Sequence, residues 1–423
     1  MRKIAGVLAV MLLTLALWTG AILAGVLEGW WRQPLAPRDA GTEAIMAAAV
    51  AKIDRDHKGN AAFVVIEDGD VHDRHFVSIG LPVDDDTLFQ VASLSKWITA
   101  WGVMTLVEAG KIDLDTPVSK YLTRWRLPDS EFDNNGVTVR RLLSHRAGLS
   151  DGLGYAGFGP GEEIQSLEAS LEATADASPG ADGTVKVGYA PGSEFHYSGG
   201  GFTLLQLLVE EVSGESFDGY MTRAVLAPLG MSRSAFVLPE GGVSNLAEFY
   251  GEDGKPAVHY RFTATAAASL YTSTADLTRL LQAHVAGRNG EPAGRGVLSP
   301  ATLKEMRRPH ASQFGAAIWG LGTILYADNN SGDFIIGHDG SNAPAINTAA
   351  RVDPATGDGV IALVTGNQRL ATNIAGEWVF WRTGNVDTFM FLAEAKRVFP
   401  VLAAGWLAII VAAIFFGARR RRR

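Results

Sequence analysis

A chain of 423 residues, 47% of them hydrophobic, is long enough for one large or two modest domains with an ample core. Its formal charge of −8 would be more negative still without the basic residues gathered at its two ends, so nucleic acid is not an expected partner. Cysteine is absent, which excludes disulfides, thiolate metal sites and a lipid-modified cysteine, and the nine histidines show no metal-ligand spacing, so neither a metal nor a cofactor is expected.

Residues 4–27 carry no charge, follow Arg2-Lys3 and precede Trp30-Trp31, an aromatic pair suited to a headgroup boundary. The run is longer than the core of a usual signal peptide, so residues 1–30 are expected to be an uncleaved anchor, with a cleaved signal peptide as the alternative. A second uncharged run, residues 398–418, ends in five arginines (419–423) that read as a cytoplasmic tail. Both charge patterns put the intervening residues outside the cytoplasmic membrane, facing the periplasm of a bacterial cell, with the C-terminus inside.

Between the two runs, residues 42–57 have helical spacing, with Ile45, Met46, Ala49, Val50 and Ile53 on one face. Residues 62–79 read as a hairpin around Asp68-Gly69, residues 97–109 as an apolar helix closed by Gly110, and residues 138–145 as a further helix. Residues 152–191 read mostly as loop, and helices are expected over 202–212 and from Ser273 to about residue 285. Strand signals return at 318–326, 334–337, 345–352 and 360–365. Strands at both ends with helices between predict an α+β fold. It is an antiparallel sheet flanked by helices and built from both ends of the ectodomain (about 42–92 and 286–384), with a mostly helical lobe inserted (about 93–285) and one transmembrane helix at each terminus.

Ser93-Leu94-Ser95-Lys96 begins at the junction of those lobes, where clefts form. On a helix, residues three apart share a face with Cβ atoms roughly 5–6 Å apart. Serine is a poor nucleophile at its own pKa and needs a base; a lysine can serve if burial lowers its pKa toward neutrality. A competing serine lies in Gly148-Leu149-Ser150-Asp151-Gly152, which has the Gly-x-Ser-x-Gly form of a nucleophile elbow but lacks the strand before it and the helix after it. Tyr197, in the segment Pro191-Gly-Ser-Glu-Phe-His-Tyr-Ser-Gly199, sits in a glycine-flanked loop before a helix. A tyrosine whose pKa is lowered by a neighbouring ammonium can shuttle a proton. His338-Asp339-Gly340-Ser341 closes a predicted strand, and an edge strand there could present the Ser341 backbone N–H beside that of Ser93 as an oxyanion hole.

The order Ser-x-x-Lys, Tyr-x-x, His-Asp-Gly resembles the three-motif order of the serine β-lactamase and penicillin-binding-protein superfamily, in its class C and esterase branch. Residues 138–149 resemble that family's "LLxHxSGL" segment, and Pro191-Gly192, Pro228-Leu-Gly-Met231 and Ser273-Thr-Ala-Asp-Leu277 resemble further landmarks. The resemblance spans about residues 42–384. It implies that Ser93 is the acylated nucleophile, Lys96 its base, Tyr197 the proton relay, and Ser93 and Ser341 the oxyanion donors. Residues 338–340 and Gly199 would line the substrate site.

Two departures are notable. Gly199 stands where the family usually has Asn, and His338-Asp339 stands where β-lactamases have Lys-Thr. A mostly neutral imidazole beside a carboxylate loses the charge that grips a substrate carboxylate, so efficient β-lactam hydrolysis is the least expected activity. The expected function is therefore a membrane-anchored extracytoplasmic serine hydrolase using an acyl-enzyme on an ester or D-amino-acid amide, a small molecule or part of the cell envelope. The alternatives are a D,D-peptidase or β-lactamase-type amidase and, in another class, a non-catalytic sensor of a cell-wall ligand. The absence of a cytoplasmic domain after either apolar run weighs against the sensor. No oligomeric state is implied.

Overall fold

The computed structural model describes residues 2–30, 32–151, 155–177, 182–313 and 315–421. Trp31 of the aromatic pair, Gly152 of the Gly-x-Ser-x-Gly segment and Arg422-Arg423 of the basic tail lie outside the described residues.

The fold is α+β, as the two-ended strand pattern predicts. Eight antiparallel strands form one sheet: β1 (Ala61–Glu67), β2 (Asp70–Val77), β5 (Ala311–Gln313), β6 (Ala316–Trp319), β7 (Ile324–Asp328), β8 (Phe334–Asn342), β9 (Ile346–Val352) and β10 (Gly359–Thr365). Their spatial order is β2-β1-β10-β9-β8-β7-β6-β5, so β1, from the early part of the chain, pairs with β10, from the late part, with Ala61 opposite Val364. A small ribbon of β3 (Phe89–Gln90) and β4 (Tyr271–Thr272) stands apart. Asp68 and Gly69 turn the first hairpin with φ of 50° and 82°, the pair of positive values that a two-residue turn between right-twisted strands requires.

β9 and β10 are buried along their whole length, which is why they read as continuous apolar runs. One face carries Phe63, Val65, Ile335 and Val360 against two helices, Thr42–Asp56 and Leu370–Thr383. The other carries Val64, Ile336, Ile361 and Leu363 into the core shared with the helical lobe, where the helices Ser95–Glu108 and Gly199–Ser213 are mostly buried.

Three readings of the sequence change. Residues 318–326 are two strands, because Gly320 and Gly322 break the run: the Gly320 N–H donates to the Thr323 carbonyl (2.9 Å), and Gly322 (φ 73°) turns against Ala100, which a side chain would strike at 2.2 Å. The helix Leu370–Thr383 was not legible, since it is buried along most of its length and shows no amphipathic stripe. β8 runs to Asn342 rather than ending at Gly337, and is interior only in part: β7 pairs with it through Gly337, leaving His338 to Asn342 unpaired on that side.

The helices Arg2–Leu27 and Thr388–Arg421 contain apolar stretches, Ala5–Val26 and Arg397–Arg419, long enough to cross a membrane. They pack against each other, with Trp18 Nε1 donating to the Leu402 carbonyl (3.2 Å) and Trp406 Nε1 to Thr19 Oγ1 (2.9 Å).

Candidate active site

Ser93 lies in a tight 3-10 turn, Ala92–Leu94, that leads directly into the helix carrying Lys96. Ala92 holds a φ of 49°, the left-handed region that costs a non-glycine residue roughly 1–2 kcal/mol, and Ser95 stabilises the bend by donating from Oγ to the Ala92 carbonyl (2.6 Å). The strained turn leaves Ser93 half-buried while Lys96, one turn on, is buried. Lys96 Nζ stands 3.2 Å from Ser93 Oγ and donates to the Ala267 carbonyl at 2.8 Å. Burial lowers the amine from 10.5 to about 7, and the nearby Asp151 carboxylate only partly opposes the shift. An amine uncharged near neutrality beside a hydroxyl can take that hydroxyl's proton.

Tyr197 reaches the same spot. Lys96 Nζ lies 5.0 Å from its ring centre, and its phenol is near enough to Ser93 for that hydroxyl to act on its acidity. The expected downward shift is reversed: loss of solvent raises the phenol above its ordinary value, so it stays protonated and acts as a hydroxyl donor.

The loop bearing Tyr197 is held by residues outside the expected site. His145, itself at φ 54°, stacks on the Tyr197 ring (4.3 Å between centroids). Its Nδ1 accepts the Ser198 N–H (3.1 Å), and its carbonyl accepts the His196 N–H (2.8 Å). Asp151 accepts the Gly200 N–H (2.7 Å) and the Ser198 hydroxyl, capping the helix Gly199–Ser213 at its positive end. Asp151 entered the sequence reading only inside the discarded Gly-x-Ser-x-Gly segment. Its proximity to Lys96 arises from tertiary packing and leaves no local signal.

β8 forms the facing wall along its unpaired stretch. Gly340 packs so closely on the Val91 carbonyl that a Cβ would lie 2.1 Å from it, and Thr348 Oγ1 donates to the same carbonyl (2.9 Å). His338 is buried and held neutral: burial first, then the Lys96 charge, lowers it to about 3. Ser341 is exposed and opposite Asn347.

Asp339 does not join the cleft. Strand alternation turns its carboxylate to the other face, where Arg351 donates to it (3.0 Å) and so does the Tyr326 hydroxyl (2.7 Å). The expected carboxylate beside the substrate is thus corrected, while the missing ammonium at His338 stands. Gly199 is likewise not an open edge of the site. It is buried against Tyr155, whose ring a Cβ at Gly199 would meet at 2.6 Å.

A cleft with an activated serine on a sheet edge is shared by acyl-transfer enzymes of several kinds, and comparison with known proteins separates them. The Beta-lactamase family model matches residues 44–378. The chain belongs to the Beta-lactamase family. It is a family of serine hydrolases with esterase and penicillin-binding members. Penicillin-binding protein 4 of Amycolatopsis lactamdurans is 30% identical over 335 residues, covering 75% of this chain and 83% of that protein. Esterase EstB of Burkholderia gladioli is 32% identical over 171 residues, 38% of this chain and 41% of the esterase. Among solved structures, the penicillin-binding protein homologue of Pyrococcus abyssi superposes with a TM-score of 0.66 at 24% identity, over 82% of this chain and 78% of that one. A D-stereospecific amidohydrolase from a Streptomyces species gives 0.59 at 22% identity, over 81% and 98%. At those identities the two structures bear on the fold alone.

Proposed function

We propose that the chain is a membrane-tethered extracytoplasmic serine hydrolase that forms an acyl-enzyme on Ser93 from an ester or a D-amino-acid amide. The observation that carries this reading is the Lys96 amine, about half uncharged near pH 7 and 3.2 Å from Ser93 Oγ. Lys96 takes the serine proton as Oγ attacks the carbonyl carbon, and the protonated Tyr197 phenol gives its proton to the leaving group and is reprotonated from Lys96. The backbone N–H groups of Ser93 and Ser341 receive the developing oxyanion.

The hydrolase domain is taken to span about residues 42–384. The two apolar helices anchor it at the bacterial cytoplasmic membrane, with Arg2-Lys3 and the arginine tail on the cytoplasmic side. A neutral His338 leaves a substrate carboxylate without an ammonium partner, which favours neutral acyl groups over β-lactams. The likeness to an esterase supports the same choice, and the likeness to a penicillin-binding protein keeps a D,D-peptidase as the second reading.

Turnover of p-nitrophenyl esters, D-Ala-D-Ala peptides and a chromogenic cephalosporin by wild type and Ser93→Ala tests the proposal. Ester or amide turnover that disappears in Ser93→Ala is the expected result; equal turnover by both proteins refutes the assignment.

A further inference from the structure

Two buried imidazole nitrogens, on rings that both pack against Trp319, have no protein partner among the described residues: Nε2 of His145 and Nε2 of His338. Their chemistry is decided by the other nitrogen of each ring. A backbone N–H can only donate, so His145 Nδ1, which receives the Ser198 N–H at 3.1 Å, carries no proton, and the proton of a neutral ring is on Nε2. A backbone carbonyl can only accept, so His338 Nδ1, 2.6 Å from the Asp339 carbonyl, carries the proton, and Nε2 is a bare lone pair. One ring therefore offers an unmet donor and the other an unmet acceptor.

Both rings are neutral near pH 7. Burial holds each below its ordinary pKa, and each is lowered further by the Lys96 charge; His145 also feels His338. Both stand edge-on to Trp319, with centroids 4.8 and 5.4 Å from it. Trp319 competes for neither, because its Nε1 donates to the Leu143 carbonyl (3.2 Å). Leaving a buried donor and a buried acceptor both unmet costs about 1–3 kcal/mol each. A single hydroxyl-bearing molecule that accepts from one and donates to the other removes both costs.

We propose that His145 Nε2–H and His338 Nε2 together hold one water molecule beside Lys96, and that this water is the acceptor that releases the acyl group from Ser93. The inference rests on the acyl-enzyme reading above. Accepting from His145 and donating to His338 leaves the water oxygen one lone pair and one further proton. The lone pair forms the bond to the acyl carbon. The proton goes to the neutral Lys96 amine and from there to Ser93 Oγ as the carbon–Oγ bond breaks. The products are a carboxylic acid and free Ser93, with no other reactant needed. His338 then acts in the second half of the cycle, by aligning water, and not in the first.

The test separates the two halves. Acylation is followed by release of p-nitrophenol in stopped flow, and acyl-enzyme lifetime by intact mass after rapid removal of ester, using the full chain in detergent. His338→Leu is expected to acylate at close to the wild-type rate while its Ser93 adduct persists about 10²-fold longer, and His338→Gln, whose amide oxygen can accept, to recover part of the loss. Slower acylation with an unchanged adduct lifetime overturns the proposal. No Ser93 adduct in any protein, with Ser93→Ala fully active, overturns instead the acyl-enzyme reading. Should both variants misfold, imidazole 15N shifts of wild type at pH 7 decide: His145 protonated at Nε2 with His338 protonated at Nδ1 supports the water site, and any other pair of tautomers overturns it.

Discussion

Replacing Lys96 with Met should make the protein inactive and more stable, and the gain should depend on pH in one direction. Moving the amine from 10.5 in the unfolded chain to about 7 in the fold means that folding below pH 7 strips the ammonium of its hydration at a cost of about 5 kcal/mol, at 1.36 kcal/mol per unit. Met has a similar length and packs on the same Tyr197 and Phe202 rings, which lie 5.0 and 5.7 Å from the amine. Against the gain, the Ala267 carbonyl loses its donor, a cost of about 1–3 kcal/mol. The variant should therefore be more stable by roughly 2–4 kcal/mol at pH 6. The folded pKa of this cation is depressed, so between about pH 7 and 10.5 the unfolded wild-type chain binds the extra proton, and wild type gains stability as pH rises. The advantage of Lys96→Met should shrink over that window and reverse near its upper end. Denaturant unfolding of both proteins at pH 6, 7, 8, 9 and 10 measures it. A difference that stays constant with pH, or a variant less stable than wild type at pH 6, refutes the reasoning.

The same amine sets the rate profile: kcat/KM for an ester should rise through about pH 7 as Lys96 loses its proton, with no histidine limb between pH 5 and 9; a limb near pH 10 would show a solvated lysine. Gly199→Asn should not install an amide-binding side chain but should destabilise by about 1–3 kcal/mol, because Tyr155 fills the space; Gly199→Asn with Tyr155→Ala should recover the loss in thermal melts. Arg351→Met should cost about 3–5 kcal/mol, since the fully buried guanidinium neutralises both Asp339 and Asp387. Adding Asp339→Asn and Asp387→Asn should restore much of it, again read by denaturant unfolding.

Arg351 also shows where sequence reasoning stops. Asp339 stands beside His338 in the chain, and the sequence reading has a mostly neutral imidazole and a carboxylate both facing a substrate. Alternation along β8 sends them to opposite faces, and the carboxylate is consumed by an arginine from β9 and a tyrosine from β7. Alternation at the close of that strand is open to sequence reasoning, but the partners that wait for Asp339 on the far face come from β9 and β7 and are set by the sheet order. Gly199 was visible as a missing Asn, whereas the Tyr155 ring that occupies the space comes from a distant loop. Tyr197 was found from its glycine-flanked loop, and its pKa was misjudged because the direction depends on how much solvent the fold removes.

What the amino-acid order determined by itself is whatever depends on near neighbours. Two apolar runs are long enough to cross a membrane, strands at both ends frame a helical middle, and Ser93 and Lys96 share one helical turn. What only the tertiary structure decided is the state of those groups. Lys96 is lowered to about 7 because helices from far along the chain exclude water from it, and His145 and His338 take opposite tautomers because each meets a different backbone group. Spacing along a helix is a local property of covalent geometry, whereas desolvation and hydrogen-bond partners are set by everything that packs around a side chain.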